Sequence, residues 1–166
     1  MGGVACKVQS LDYYLDGTNN QVKISGGKLI LKLDKPKTNY LLPIDNFVHE
    51  IGVTTVSDTI TISDTSTKYF LISGFEDNSY TYYLDYYYET TDLDSAVFLI
   101  YVDNDVTING SGTFNEGGGN WTTTYNNVEL KTGWNYLIAT EEEITNDITT
   151  YTSKKPNNNY KWVVTD

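Results

Sequence analysis

The 166-residue sequence predicts an all-β protein from its composition, its period-two patterning and its turn signals. Fifteen tyrosines, together with abundant threonine and asparagine, suit pleated strands and turns better than helices. Short alternating apolar segments recur between turn residues, and no segment has a convincing apolar period of about 3.6 residues. This pattern is typical of an antiparallel sandwich or barrel. We predict an antiparallel β-sandwich, either immunoglobulin/transthyretin-like or jelly-roll-like.

The first half of the chain contains several alternating segments that predict strands. Residues 22–33, VKISGGKLILKL, predict two strands around a Gly26-Gly27 turn. Further strands are predicted at DTITIS (58–63) and KYFLIS (68–73). The segment AVFLIYV (96–102) has no polar alternation, so we expect it to be buried on both faces near the centre of a sheet.

The second half of the chain continues the pattern. The strand DVTIN (105–109) is expected to stop at Asn109-Gly110, a dipeptide that favours a hairpin turn. The segment LKTG (130–133) predicts a tight hairpin turn with Gly133 in the left-handed region. The other strands predicted here lie at 120–130, 133–140, 148–153 and 160–165.

The domain organisation follows from the placement of these strands. Residues 1–10 are expected to be a disordered N-terminal tether, and residues 11–166 to form a single β-sandwich domain. The segment DNFVHEIGVTTVSD (45–58) leaves an alternative open, because it is either a linker between two small β units or another strand pair. We favour one domain, because the N-terminal part alone is small for a stable core.

Charge and cysteine content exclude several classes of protein. The net charge is −11 and every basic residue is lysine, so there is no basic stripe to neutralise the phosphates of a nucleic acid. The same charge disfavours docking of the protein surface on an anionic membrane. The single cysteine, Cys6, excludes an intramolecular disulfide. No apolar run is long enough for a transmembrane helix.

The tyrosine-rich segment YTYYLDYYYE (80–89) is the most unusual stretch of the sequence. As a strand it would place an apolar set of side chains on the core and the set Tyr83, Asp85 and Tyr87 on the opposite face. Two rings on either side of a carboxylate suit stacking on sugar rings, with Trp121 as a further ring. The alternative is that Tyr83 and Tyr87 pack across strands and only stabilise the sheet surface.

The sequence contains no catalytic motif, and we expect a non-enzymatic protein. His49 is the only histidine, which excludes a multi-histidine metal site and leaves one candidate base. We expect it to be a surface or half-buried imidazole. The Ser-centred elbow, the Walker loop and the zinc-protease motif are all absent. A two-carboxylate glycosidase is disfavoured, because no pair of acidic residues stands out.

Two pairs of aspartates bracket the predicted central strand. Asp92 with Asp94, and Asp103 with Asp105, could each help to bind calcium through carboxylate oxygens. Neither pair matches an EF-hand loop, and solvated acidic turns are the favoured interpretation. We therefore expect no obligatory cofactor, with calcium as the alternative.

Three segments of the C-terminal half resemble a known pattern. They are FLIYVDNDVTINGSGTF (98–114), YNNVELKTGWNYLIA (125–139) and TTYTSKKPNNNYKWVV (149–164). They resemble uncharacterised surface or periplasmic lipoproteins of Bacteroidetes and spirochaetes, over about residues 95–164. LKTGWN (130–135) is the most specific element of this likeness. The family has no known catalytic or ligand residues to transfer to this chain.

The resemblance implies an all-β cell-envelope protein, on the outer membrane surface or in the periplasm, tethered by an N-terminal lipid. The sequence GVAC at residues 3–6 is similar to the end of a lipobox, with Gly3 where leucine is usual, which makes Cys6 the candidate lipid anchor. We expect a role in binding, adhesion or scaffolding, with a glycan or protein partner and no nucleic acid. The alternative is a carbohydrate-binding module that uses exposed Tyr and Trp. We expect Trp134 and Tyr136, in the LKTGWN region, to pack inward.

Overall fold

A computed structural model of the chain describes ten stretches of residues, with gaps between them. Apart from a 3-10 turn at Thr38–Tyr40 and a short helix, the described residues outside loops are β-strands. A three-stranded antiparallel sheet consists of β1 (Leu11–Asp12), β2 (Gln21–Ser25) and β3 (Lys28–Lys32). The described residues are 11–12, 21–25, 28–49, 54–72, 75–76, 83–89, 94–116, 119–142, 147–157 and 161–165.

The second sheet contains twelve strands among the described residues, and α1 (Asp45–Val48) follows its first strand. Its first six strands are β4 (Leu42–Pro43), β5 (Thr54–Asp58), β6 (Thr61–Ile62), β7 (Lys68–Ile72), β8 (Phe75–Glu76) and β9 (Tyr83–Glu89). The others are β10 (Asp94–Val102), β11 (Val106–Glu116), β12 (Gly119–Leu130), β13 (Gly133–Glu142), β14 (Asp147–Thr152) and β15 (Lys161–Thr165).

The all-β prediction is confirmed, and the larger sheet is a single curled sheet that forms a half-barrel. Its main path has the order β15-β9-β10-β13-β14-β12-β11-β5, with β4, β6, β7 and β8 attached beside it. The sheet is mixed, because β12 and β14 run parallel while the other described pairs are antiparallel. The expectation of purely antiparallel pairing was therefore wrong at this one ladder.

The curl follows from a short connection between two strands that are not neighbours. Residues 103–105 join β10 to β11, yet β13, β14 and β12 lie between these two strands in the sheet. Four strand spacings of about 4.8 Å make a flat path of about 19 Å. Three linking residues span at most about 14 Å from Val102 to Val106. The sheet must curl to bring these strands together.

The inner side of the curl contains the core. Ile100 and Val102 of β10 pack in one cluster with residues of β11, although the two strands are four places apart in the sheet. Helix α1 contributes Val48 to the same cluster. Its buried members are Ile44, Val48, Ile100, Val102, Val106, Ile108, Tyr125, Val128, Leu130 and Leu137.

Strand β10 is buried on both faces, as its unbroken apolar sequence predicts. Ile100 and Val102 are fully covered on the core side, and the alternate residues Leu99 and Tyr101 are buried on the other side. The strand lies inside the sheet, where it pairs with β13 on one edge and with β7 and β9 on the other. The predicted β2–β3 hairpin is also confirmed, with Ser25 opposite Lys28.

The predicted turn at Asn109-Gly110 was wrong, because β11 continues through this dipeptide. Ile108 lies opposite Val128, and Gly110 lies opposite Tyr125. Two residues of β12, Asn126 and Asn127, therefore lie opposite the single residue Asn109 of β11. Asn127 adopts φ 49°, a left-handed conformation that asparagine tolerates. This bulge lets Tyr125 and Val128, three residues apart, both face the core.

The LKTG segment makes the predicted tight turn, and Gly133 has a φ of 107°. The Asn135 side chain holds this turn, since it accepts from the backbone N–H of Lys131 and donates to the carbonyls of Lys131 and Gly133. The prediction that this turn closes a hairpin was wrong, because β12 and β13 are not paired with each other. They separate after the turn, and β14 pairs with both of them.

The inward placement of Tyr136 was wrong, because the side chain is 37% exposed. Alternation along β13 puts the buried Leu137 on the core side and Tyr136 on the other. Trp134 shares the face of Tyr136 but is half-buried. Its ring packs against Phe70 and Tyr101, and its indole N–H donates to the carbonyl of Asp34 at 3.1 Å.

Several predictions fall wholly or partly outside the described residues. The N-terminal tether and Cys6 lie there, as do Asp92 and the first tyrosines of the 80–89 segment. Of the segment 45–58, the described residues 45–49 contain α1 and the described residues 54–58 form β5, so the choice between a linker and a strand pair stays open. The single-domain assignment stays a prediction.

Replacement of Gly110 by alanine is expected to destabilise the fold. The glycine has a φ of 112°, and an added Cβ would overlap the carbonyl oxygen of Thr59 in the edge segment between β5 and β6. We expect Gly110→Ala to lower the free energy of unfolding by about 2 to 4 kcal/mol, measured by urea denaturation.

Gly133→Ala is the matched control for Gly110→Ala. Gly133 also has a positive φ, but a Cβ there would meet no atom within 4 Å. The control should lose only about 1 kcal/mol. Equal losses at the two positions would show that the contact with Thr59 contributes nothing.

Candidate functional site

A small groove lies on the core side of the large sheet, between α1 and strands β11, β12 and β14. Its volume is about 110 Å³. The sequence positions that line it come in alternating runs, because residues two apart on a strand share a face. Strand β12 contributes Trp121, Thr123 and Tyr125, and β14 contributes Thr149 and Tyr151.

The parallel pairing of β12 with β14 sets these side chains next to one another. The register places Thr123 beside Thr149 and Tyr125 beside Tyr151. The two tyrosine rings consequently stack, with centroids 5.3 Å apart and planes only 12° from parallel. Offset stacking of this kind adds stability beyond the burial of the rings. The ladder therefore gives the groove a threonine pair next to a tyrosine pair.

Rings from two other elements complete the groove. Phe47 of α1 meets Tyr125 and Tyr151 edge-on, with centroids 5.9 and 5.5 Å away. Phe114 of β11 is paired in register with Trp121, and their ring centroids are 6.2 Å apart. Phe114 and Tyr125 are almost fully buried, so they form the floor. Phe47, Trp121 and Tyr151 are half-buried and form the walls.

The size and lining of the groove limit what it could bind. Its volume of about 110 Å³ is well below the several hundred cubic ångströms of a pocket for a drug-sized ligand. It suits a single ring or a short side chain of a larger ligand. The accessible surface inside the groove is mainly polar, and Thr123 and Thr149 carry hydroxyls that both donate and accept hydrogen bonds.

His49 lies beside the groove and is held between two carboxylates. Its Nδ1 is 3.0 Å from Asp45 Oδ1, one helical turn earlier, and its Nε2 is 2.7 Å from Asp58 Oδ2 at the end of β5. Asp58 is itself fixed by its other oxygen, which accepts from the N–H of Ile60. The imidazole also meets the Phe114 ring edge-on at 6.4 Å. His49 therefore links α1 to the edge of the sheet.

The two carboxylates favour the protonated imidazole. Partial burial acts to lower the pKa of His49, but the hydrogen bonds and charges of Asp58 and Asp45 outweigh it and raise the pKa above 6.5. Ionised carboxylates only accept hydrogen bonds, so both ring nitrogens must donate. The imidazolium is the form that carries a proton on each nitrogen.

The predicted ligand residues are not brought together in the sheet. Trp121 lies in the groove on β12, whereas Tyr83, Asp85 and Tyr87 lie on β9, and three strands of the sheet order separate these two strands. The backbone of β9 pairs with β15 and β10, with Tyr87 opposite Lys161 and Ala96. The side-chain placement of Tyr83, Asp85 and Tyr87 lies outside the described part of the chain.

Two aspartates of the predicted calcium pairs, Asp103 and Asp105, make hydrogen bonds to distant segments of the chain. Asp103 accepts from the backbone N–H of Lys68 at 2.7 Å. Asp105 accepts from the N–H and hydroxyl of Thr132 and pairs with Lys131, which lowers the pKa of its carboxyl. Asp94 begins β10, opposite Glu89 and Glu141. Among the residues described, no group of three or more His, Cys, Asp or Glu is placed to hold a metal. The expectation of no obligatory cofactor, with calcium as the alternative, stays a prediction.

Sequence reasoning missed most of the groove for a physical reason. Its rings come from α1, β11, β12 and β14, and only the parallel register brings Tyr125 next to Tyr151. The contacts of His49 with Asp45 and Asp58, here called the His49 clamp, had one local signal, because Asp45 and His49 are four residues apart and a helix places such residues on one face. The contact with Asp58 depends on how β5 meets α1, which no local pattern encodes.

Comparison of the chain with protein-family models, with curated proteins and with solved structures gave no match. None of the helices that the structure describes is long and apolar enough to span a membrane.

The His49 clamp predicts a specific dependence of stability on pH. Because its folded pKa is raised, the clamp contributes fully to the free energy of unfolding below about pH 6.5, the unfolded value, and this contribution is lost as the pH rises through the folded pKa. The wild type should therefore melt at a higher temperature than His49→Gln in mildly acidic buffer, and the difference should shrink at alkaline pH.

Differential scanning fluorimetry of both proteins across this range measures the effect. The difference in melting temperature between the wild type and His49→Gln cancels the pH response of the acidic groups that both proteins share. A difference in melting temperature that is constant with pH, or that grows towards alkaline pH, would contradict the clamp.

Proposed function

We propose that this chain is a non-enzymatic binding domain whose ligand site is the ring-lined groove between α1, β11, β12 and β14. The observation that carries the proposal is the half-buried Trp121 in a groove that also has tyrosine rings and threonine hydroxyls. Aromatic side chains with one accessible part and one buried part are common anchors at binding surfaces. The biological role would be adhesion or scaffolding through a glycan or protein partner, without nucleic acid.

A non-enzymatic role is supported by the state of the one histidine. Both ring nitrogens of His49 are occupied by carboxylates, so neither is free to take a proton from a substrate hydroxyl. A general base needs a free acceptor within hydrogen-bond reach of the proton it removes. We therefore assign His49 to the structure around the groove.

We propose a bacterial cell-envelope location, with the chain anchored through a lipid on Cys6. The support is the sequence GVAC at residues 3–6 and the resemblance of residues 95–164 to envelope lipoproteins with an LKTGWN-like element. A sandwich remains our proposal for the complete fold. It is supported by the way the β10–β13 and β11–β12 ladders contribute to one core.

A carbohydrate is the second candidate, and the threonine pair favours it. The register places Thr123 next to Thr149 beside the Trp121 wall, which combines hydroxyls with an aromatic surface. Sugar rings present an apolar face and a rim of hydroxyls, and the groove is about one ring in size. In this form the domain is a carbohydrate-binding module that recognises one sugar unit of a longer glycan.

Trp121→Ala is expected to remove ligand binding without unfolding the domain. The purified chain is screened on a glycan array, with and without calcium, and a positive glycan is then titrated by calorimetry. We expect Trp121→Ala to weaken binding tenfold or more, equivalent to roughly 1.4 kcal/mol or more. Tyr136→Ala is the control, because Tyr136 is an exposed aromatic on the opposite face of the sheet. It should leave the affinity unchanged.

Two other results would redirect the assignment. Loss of binding in Tyr83→Ala or Tyr87→Ala, with Trp121→Ala unaffected, would move the site to β9. A folded domain that binds no glycan would remove the carbohydrate candidate, and the search would then use protein partners. Hydrolysis of any glycan by the wild type would contradict the non-enzymatic assignment.

A further inference from the structure

His49 connects helix α1, on one side of the groove, to the end of β5, on the other side. Helix α1 carries Phe47 and Val48 in the groove lining, and His49 follows directly after them. On the other side, Asp58 ends β5, which pairs with β11 at the position of Phe114 and its neighbours. The His49 ring bonds Asp58 and contacts Phe114, which forms the groove floor. A change at His49 therefore acts directly on the groove.

The charges around the imidazole make this link depend on one proton. The described charged groups that bond the ring are Asp45, from the start of α1, and Asp58, from β5, while β11 presents the uncharged Phe114. The imidazolium donates to both carboxylates. The neutral ring has one N–H, so one carboxylate oxygen then faces a nitrogen lone pair at about hydrogen-bond distance, which is repulsive.

Loss of the proton would loosen the end of α1 without releasing the helix. Ile44 and Val48 are almost fully buried in the core, and the N–H of Ile44 donates to the carbonyl of Thr67 at 2.9 Å. These contacts do not titrate. The change would be confined to the end of α1 at Phe47, whose ring lines the groove and contacts Tyr125 and Tyr151.

We propose that His49 is a proton-operated latch that fixes the α1 wall of the groove, so that the groove keeps its binding shape only while the imidazole is protonated. Ligand occupancy then falls as the pH rises through the titration of His49. This regulation rests on the proposed function of the groove, but the latch itself can be observed without any ligand. His49 acts as a positioning residue and does not contact the ligand.

The test is an NMR titration of the full chain from about pH 5 to about pH 9. The chain has a single histidine, so one imidazole signal reports the latch without ambiguity. The indole N–H of Trp121 and the ring of Phe47 report the groove. We expect the imidazole to titrate above 6.5, its ordinary value, with both groove signals moving at the same midpoint.

Two variants and a control make the result decisive. Asp58→Asn keeps an acceptor for the Ile60 N–H but removes the charge, so it should lower the midpoints of the imidazole and groove signals together. His49→Gln should abolish the pH response of the groove signals. Asp64→Asn, which changes a carboxylate bonded to Ser66 in a separate turn, should leave all midpoints in place.

Three outcomes would overturn the latch. These are an imidazole midpoint at or below 6.5, groove signals that do not follow the imidazole, and a groove response that survives His49→Gln. Failure of the regulation and failure of the proposed function can also be told apart. A glycan whose Trp121-dependent affinity is constant with pH would overturn the regulation and leave the binding function standing. Groove signals that titrate with His49 in a chain that binds no glycan would overturn the binding function and leave the latch standing.

Discussion

The large sheet depends on two short connections at one end of the half-barrel, each of which joins strands that are not neighbours in the sheet. Residues 103–105 connect β10 to β11, and residues 131–132 connect β12 to β13. Asp105 in the first turn accepts two hydrogen bonds from Thr132 in the second and pairs with Lys131 at 3.0 Å. This exposed contact joins the two turns, but it is the short length of the two connections that brings the β10–β13 and β11–β12 ladders together, so that the sheet curls and its inner face becomes one core.

The same constraint explains the groove at the other end. Strand β12 ends at the turn and β13 begins there, and the two strands separate away from the turn, where β14 pairs with both, parallel to β12 and antiparallel to β13. The register of the parallel pair places Thr123 beside Thr149 and Tyr125 beside Tyr151. Helix α1 covers this region from the core side. The groove is thus a consequence of the position of β14 between β12 and β13.

The sequence predicts what is local and misses what depends on long-range pairing. The unbroken apolar run of β10, the Gly26-Gly27 hairpin and the positive φ of Gly133 are all encoded within a few residues. Asn109-Gly110 has the chemistry of a hairpin turn, but β11 continues because edge residues pair on both sides of Gly110 and a bulge absorbs the extra residue of β12. Of the candidate site, only Trp121 was predicted, because the parallel register and the approach of Asp58 to His49 leave no local pattern.

The central claim is that the groove created by β14 is the place where this domain binds its ligand. A crystal structure of the chain soaked with a cocktail of small ring compounds, such as glucose, cyclohexanol and phenol, tests it most directly. We expect electron density for one ring between Trp121 and Tyr151, within hydrogen-bond distance of the Thr123 or Thr149 hydroxyl. Density confined to other surfaces, or a groove that stays free of every compound, would contradict the account.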